Sequence, residues 1–74
     1  MENDRTLTAK TSRETERLLD EHRAARYLGL SVKTLRNWRS AKRGPRYVKI
    51  SRIVRYRIRD LDQFIETNVV ETGT

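Results

Sequence analysis

Two short helical segments joined by Gly29-Leu30-Ser31 constrain this chain more than any other feature in it. Asp20 is a good N-cap, and Glu21 sits beside the positive end of the helix that follows, which runs to Leu28. Gly29 ends that helix, because glycine enters the left-handed region at no steric cost. Ser31 caps a second helix over residues 32–40. So short a connection makes the two helices cross steeply, and a steep crossing needs small side chains at the contact. Ala24 and Ala25 supply them. Leu28 shares a face with Ala24, and Leu30 plugs the space beneath the turn. Leu35 and Trp38 point inward from the second helix at i, i+3.

These spacings match the register of a helix-turn-helix that binds DNA. A second signal overlaps it. Residues 31–59 hold eleven Lys or Arg and no Asp or Glu. A folded segment tolerates that much self-repulsion when a polyanion neutralises it, and nucleic acid is the commonest. The net charge of +7 belongs to the folded part, because residues 1–19 balance four bases against four acids. Within the second helix, Lys33, Thr34, Arg36, Asn37, Arg39 and Ser40 lie on the polar faces. Arg36 has the fork that fits guanine and Asn37 the amide that fits adenine, while Lys33 and Thr34 are placed for phosphate. Ser31 sets a helix N-terminus whose free N–H groups suit a phosphate. Arg39 is placed to reach phosphate or to cover Trp38 with its stem.

The rest of the chain completes a small domain. Residues 41–45 form a turn. Tyr47-Val48-Lys49-Ile50 and Ile53-Val54-Arg55-Tyr56 alternate as a hairpin with Ser51-Arg52 at its tip. Lys42, Arg43, Arg46, Lys49, Ser51, Arg52 and Arg55 make turn and hairpin a second basic element, suited to the DNA backbone or the minor groove. A last helix starts near Arg59, with Leu61, Phe64 and Ile65 on one apolar face and Asp60 near its positive end. Ile50 joins these three in the expected core, and Tyr56 is expected between hairpin and last helix. His22 is expected in solvent. The expected fold is a small, mainly-α winged helix-turn-helix in the order helix, helix, strand, strand, helix, with a two-stranded wing. Its domain spans residues 18–68, after a flexible arm at 1–17 and before a frayed tail at 69–74. Residues 12–19 have a weak tendency to form a helical turn.

Other function classes find little support. Seventy-four residues allow one thin core, too small for a large enclosed active site. There is no cysteine and one histidine, so neither a thiolate site nor a metal site is expected, nor any cofactor or small-molecule substrate. No catalytic constellation is present, so no enzyme is expected. No apolar run is long enough to span a bilayer and no signal-peptide core follows Met1, so the cytoplasm is the expected compartment. A basic RNA-binding protein is the alternative from another class, but it has no need of the spacing around Gly29.

The runs Leu19-Asp20, Ala24-Ala25-Arg26-Tyr27-Leu28-Gly29-Leu30-Ser31-Val32-Lys33-Thr34-Leu35-Arg36-Asn37-Trp38-Arg39, Gly44-Pro45-Arg46-Tyr47-Val48-Lys49-Ile50, Val54-Arg55-Tyr56 and Asp60-Leu61-Asp62 together resemble the excisionase-type winged helix-turn-helix family. That family is related to the MerR-like DNA-binding domains and includes small AlpA-like transcriptional regulators. The resemblance covers about residues 18–66. It implies a recombination directionality factor of a phage or integrative element, an architectural protein without an active site. Such a protein binds repeated sites on double-stranded DNA beside an attachment site, often as side-by-side protomers. It bends the DNA and directs a partner integrase toward excision. The resemblance also allows, as the second reading, a transcriptional regulator using the same domain at promoters. Residues 32–39 would be the recognition helix and residues 49–55 the wing. Many relatives carry glycine at the wing tip, where this chain has Ser51-Arg52. The arm at 1–17 has no counterpart and is a candidate contact to a neighbouring protomer or integrase.

Overall fold

The structure is a computed structural model and describes residues 17–73, so the expected arm and the helical tendency at 12–16 lie almost wholly outside the described residues. Six elements follow in order: β1 (Leu18–Leu19), α1 (Glu21–Leu28), α2 (Val32–Ser40), β2 (Val48–Ile50), β3 (Ile53–Arg57) and α3 (Ile58–Thr67). The Asp20 carboxylate accepts the Arg23 N–H at 2.8 Å, which caps α1. Gly29 leaves the helix at φ 74°. The N–H of Leu30 reaches the Ala25 carbonyl at 2.9 Å and that of Gly29 the Arg26 carbonyl at 3.1 Å. This pair of bonds closes a Schellman motif and turns the chain directly into α2.

The C-terminus of α2 repeats the device without glycine. Arg43 N–H bonds the Trp38 carbonyl at 2.8 Å and Lys42 N–H the Arg39 carbonyl at 3.0 Å, with Lys42 at φ 60°. Gly44 follows at φ 93°. A Cβ built there would lie 2.9 Å from Cε3 and 3.1 Å from Cβ of Trp38. Glycine is thus required twice over, by its backbone angle and by the indole against it. Pro45 is buried beside it.

The sheet corrects the expected architecture. It has three antiparallel strands in the order β1-β3-β2, not a two-stranded wing alone. Leu18 and Leu19, expected at most in a helical turn, pair with Arg57 and Tyr56 of β3. Two residues carry too little pattern for a strand to be legible, and the pairing exists only because β3 offers a free edge. The element order therefore opens with a strand before the two helices. In the hairpin, Val48 faces Arg55, Lys49 faces Val54 and Ile50 faces Ile53.

Ala24, Ala25, Leu35, Tyr56 and Leu61 form the buried core, with Leu19, Leu28, Val32, Trp38 and Val54 packed against it. Leu30 and Phe64 are half-buried, and Phe64 stacks obliquely on Trp38 at 5.5 Å between centroids. Two expected core residues are not core. Ile50 is 53% exposed and Ile65 41%. Successive strand residues face opposite ways, and β3 turns Tyr56 and Val54 inward. Ile50 pairs with Ile53, which alternation places on the opposite face. On α3, Leu61 takes the central inward position, and Ile65 lies at the margin of the apolar face.

α3 begins one residue before its expected start, directly out of β3, with no side-chain cap at Arg57. The buried Asp60 instead accepts Arg57 Nε at 2.6 Å across three residues, fastening strand to helix. At the other side of the core the Tyr27 hydroxyl donates to Asp62 at 2.6 Å, tying α1 to α3. That bond stabilises the phenol and raises the Tyr27 pKa. Residues 69–73 carry no regular structure and are exposed.

Candidate nucleic-acid interface

α2 supplies the outward face. Its first turn is fastened internally: Ser31 Oγ accepts the Thr34 N–H at 3.1 Å and donates to Thr34 Oγ1 at 3.0 Å. The Ser31 hydroxyl and the Thr34 side-chain oxygen thus serve the cap, and Thr34 is half-buried. Lys33, Asn37 and Ser40 are exposed along the helix. Arg36, half exposed, is engaged by Glu21 of α1, whose Oε2 accepts Nη2 at 2.5 Å and Nε at 3.0 Å.

Arg39 does not take its expected place over Trp38. Its Nη2 donates to Glu21 Oε1 at 3.2 Å and its Nη1 to the hydroxyl of the buried Tyr56 at 3.0 Å. Its guanidinium lies 5.9 Å from the Tyr47 ring centroid. The cation over Trp38 is Arg43, at 5.7 Å. The geometry explains the exchange. Arg39 leaves the last turn of α2 toward the sheet, while the Schellman bonds fold Arg43 back over the indole.

The hydrogen bond from Arg36, and after it that from Arg39, holds the Glu21 carboxyl at about 2 rather than 4.5, with partial desolvation working against them. Glu21 is thus an anion under all ordinary conditions. It bridges α1, α2 and, through Arg39 and Tyr56, β3. Read along the chain, Glu21 is only an acid at a positive helix end. Its second role depends on the crossing of α1 over α2, which brings the first turn of one beside the middle of the other. The trace it leaves in the sequence is two arginines at i, i+3 on the second helix.

The hairpin faces the same region. An open groove is bordered by Asp20, Glu21 and His22 from the start of α1, Arg39 from α2, and Arg52, Ile53, Val54 and Arg55 from the hairpin. Ser51 takes the left-handed conformation at the tip, φ 60°. Lys49 and Arg52 are exposed, and Arg55 folds back to donate Nη1 to the Val54 carbonyl at 2.8 Å. Ile50 and Ile53 flank the tip, both more than half exposed. Lys42, Arg43, Gly44, Pro45, Arg46 and Tyr47 border a second shallow groove between α2 and β2. The chain's excess positive charge thus lies along α2, the loop after it and the hairpin, elements that follow one another directly.

Two crossed helices with a left-handed glycine between them, followed by a basic hairpin, define a DNA-binding helix-turn-helix domain, a class that is typically non-enzymatic. The model of a helix-turn-helix domain family matches residues 18–69, and the chain belongs to that family. No curated protein matches the chain. DNA is the partner that the family suggests. Among the described residues no helix is long and apolar enough to cross a membrane.

Proposed function

We propose that this chain is an excisionase, a recombination directionality factor that binds repeated sites beside an attachment site, bends the DNA and turns a partner integrase toward excision. The helix-turn-helix family to which it belongs is typical of excisionase-like and AlpA-like small DNA-binding proteins. α2 enters the major groove with Lys33, Arg36 and Asn37 outward, and several protomers lie side by side on the repeats. Arg39 buttresses the helix from behind, and Lys42, Arg43, Arg46, Lys49 and Arg52 neutralise phosphates along one flank.

The observation that carries the bending role is the hairpin tip. Arg52 sits in the turn that joins Ile50 to Ile53, two large apolar residues paired across the last strand register and about half exposed. An exposed apolar pair costs solubility without helping the core, whereas apolar side chains pressed into the minor groove unstack base steps and kink the duplex. Neutralising phosphates on one face bends the duplex further.

The test is to recover and sequence the genomic fragments that the chain binds in its own host. Clustered direct repeats beside an integrase gene or an attachment site are the expected result. Enrichment confined to promoters would replace the excisionase reading with that of an AlpA-like transcriptional regulator. Unselective recovery would remove base reading by α2.

A further inference from the structure

One carboxylate serves two arginines of the same helix, and it holds them differently. Arg39 is drawn inward, spread between Glu21 Oε1 and the hydroxyl of the buried Tyr56. Arg36 stays half exposed and is gripped from the side: Nε and Nη2 both donate to Glu21 Oε2, at 3.0 and 2.5 Å. In a guanidinium, Nε–H and one Nη2–H lie along one edge, while the second Nη2–H and Nη1 form the terminal edge. Glu21 occupies the first edge. The terminal edge has no partner among the described residues, and it is the edge that forks to O6 and N7 of guanine in the major groove.

Glu21 itself is well anchored. It is the first residue of α1, the neighbour of a satisfied N-cap, and its other oxygen is tied through Arg39 to Tyr56 in the core. An arginine has a long stem with several rotatable bonds, and binding is weakened by the freedom it must give up. Here that freedom is surrendered in the free protein. The carboxylate also has a cost. Placed beside a basic face that meets a polyanion, it repels phosphate and lowers affinity for every sequence alike.

We propose that Glu21 is a positioning residue for base recognition: it clamps Arg36 by its inner edge and aims the terminal edge at a guanine, giving up non-specific affinity in exchange for discrimination. The inference rests on the reading that α2 lies in the major groove, and it adds a residue of α1 that touches no base. Its signature is a pair of opposite changes. Without the carboxylate, binding to unrelated DNA strengthens while selectivity at one base pair falls.

The experiment uses a duplex selected from a randomised pool by the unaltered chain, the set of its single-base-pair variants, and an unrelated duplex. The proteins are the unaltered chain, E21Q, R36A and the double variant, all checked for folding by circular dichroism. R36A is expected to lose about tenfold or more of its discrimination at one G·C pair. E21Q is expected to lose several-fold at that same pair, and to bind the unrelated duplex as tightly as the unaltered chain or more so. The double variant should discriminate no worse than R36A alone, because Glu21 acts through Arg36. E21D keeps the charge on a stem one methylene shorter, so it should also lose selectivity but without the gain on unrelated DNA, and it carries the test if E21Q does not fold. Full discrimination in both Glu21 variants would overturn the proposal, as would a loss in the double variant larger than in R36A. If R36A weakens all duplexes equally, base reading by α2 itself falls, and the role of Glu21 with it. That failure is visible in the R36A data alone.

Discussion

Replacing Gly44 by alanine is a sharp test of how the interface is held in place. Two costs arise at this residue. At φ 93° an L side chain meets its own backbone, which costs about 1–2 kcal/mol. The new Cβ would also stand 2.9 and 3.1 Å from two carbons of Trp38. The indole has little room to retreat, since Phe64 lies against it at 5.5 Å and the Arg43 cation at 5.7 Å. Overpacking of this kind costs about 1–3 kcal/mol. Alanine returns some of this by stiffening the unfolded chain, about 0.4–1 kcal/mol. The net loss is about 2–4 kcal/mol, which in a domain this small lowers Tm by roughly 10–25 °C. Thermal unfolding followed at 222 nm measures it. Gly29→Ala is the internal control: its φ is also left-handed, but nothing lies within 4 Å of the added carbon. It should cost only about 1 kcal/mol, the backbone part. Equal losses at the two positions would refute the argument that Trp38 packs against the backbone at Gly44. At temperatures where both variants are folded, Gly44→Ala should also bind DNA more weakly than Gly29→Ala, because it displaces the loop that carries Lys42, Arg43 and Arg46.

Four further outcomes are expected. Glu21 has its carboxyl lowered from 4.5 to about 2 in the folded protein, so the folded state binds fewer protons between those values. The stability it adds is complete above pH 4.5 and is lost as pH falls through 2. Because Arg36 is half exposed, the loss should be about 1 kcal/mol, read as the difference between the unaltered chain and E21Q in denaturant titrations across that range. Arg57→Met leaves the Asp60 carboxylate, 4% exposed, without its partner and should cost about 2–3 kcal/mol in urea unfolding, part of it regained in Arg57→Met/Asp60→Leu. Contact with roughly five to seven phosphates predicts a slope of log K against log salt of about −5 to −6, and Arg52→Ala should make it shallower by about one; a slope near zero in a fluorescence titration would contradict DNA binding through this basic face. Ile50→Thr/Ile53→Thr should leave the melting curve nearly unchanged, because both side chains are already about half exposed, but should reduce the DNA bend seen by energy transfer between duplex ends.

The two helices of the motif were fully legible in the chain because everything that makes them is local. Asp20 and Ser31 cap them through bonds to residues three positions on, and Gly29 turns the chain through its own φ. The spacing of Ala24, Ala25, Leu28, Leu35 and Trp38 repeats with the helix itself, so it predicts which sides meet without knowing where they meet. The clustering of charge was equally plain, since a run of bases without acids needs no fold to be recognised. Those local signals are sufficient for the class of domain and for its polyanionic partner.

Where two distant segments first touch, the sequence is silent, and there the tertiary structure decided. Leu18 and Leu19 become a strand only because β3 has an edge to offer them. Ile50 turns outward because the register of β2 on β3 sets it opposite Ile53, and one residue of slip reverses every side chain of a strand. Arg36 and Arg39 are alike in the sequence, three residues apart on one polar stretch. The crossing of α1 places Glu21 between them, and the position of Tyr56 draws one inward while the other keeps its outer edge open. Periodicity reports the environment of a face. Which partner stands opposite an individual side chain, and therefore what that side chain is for, is a property of the packed chain.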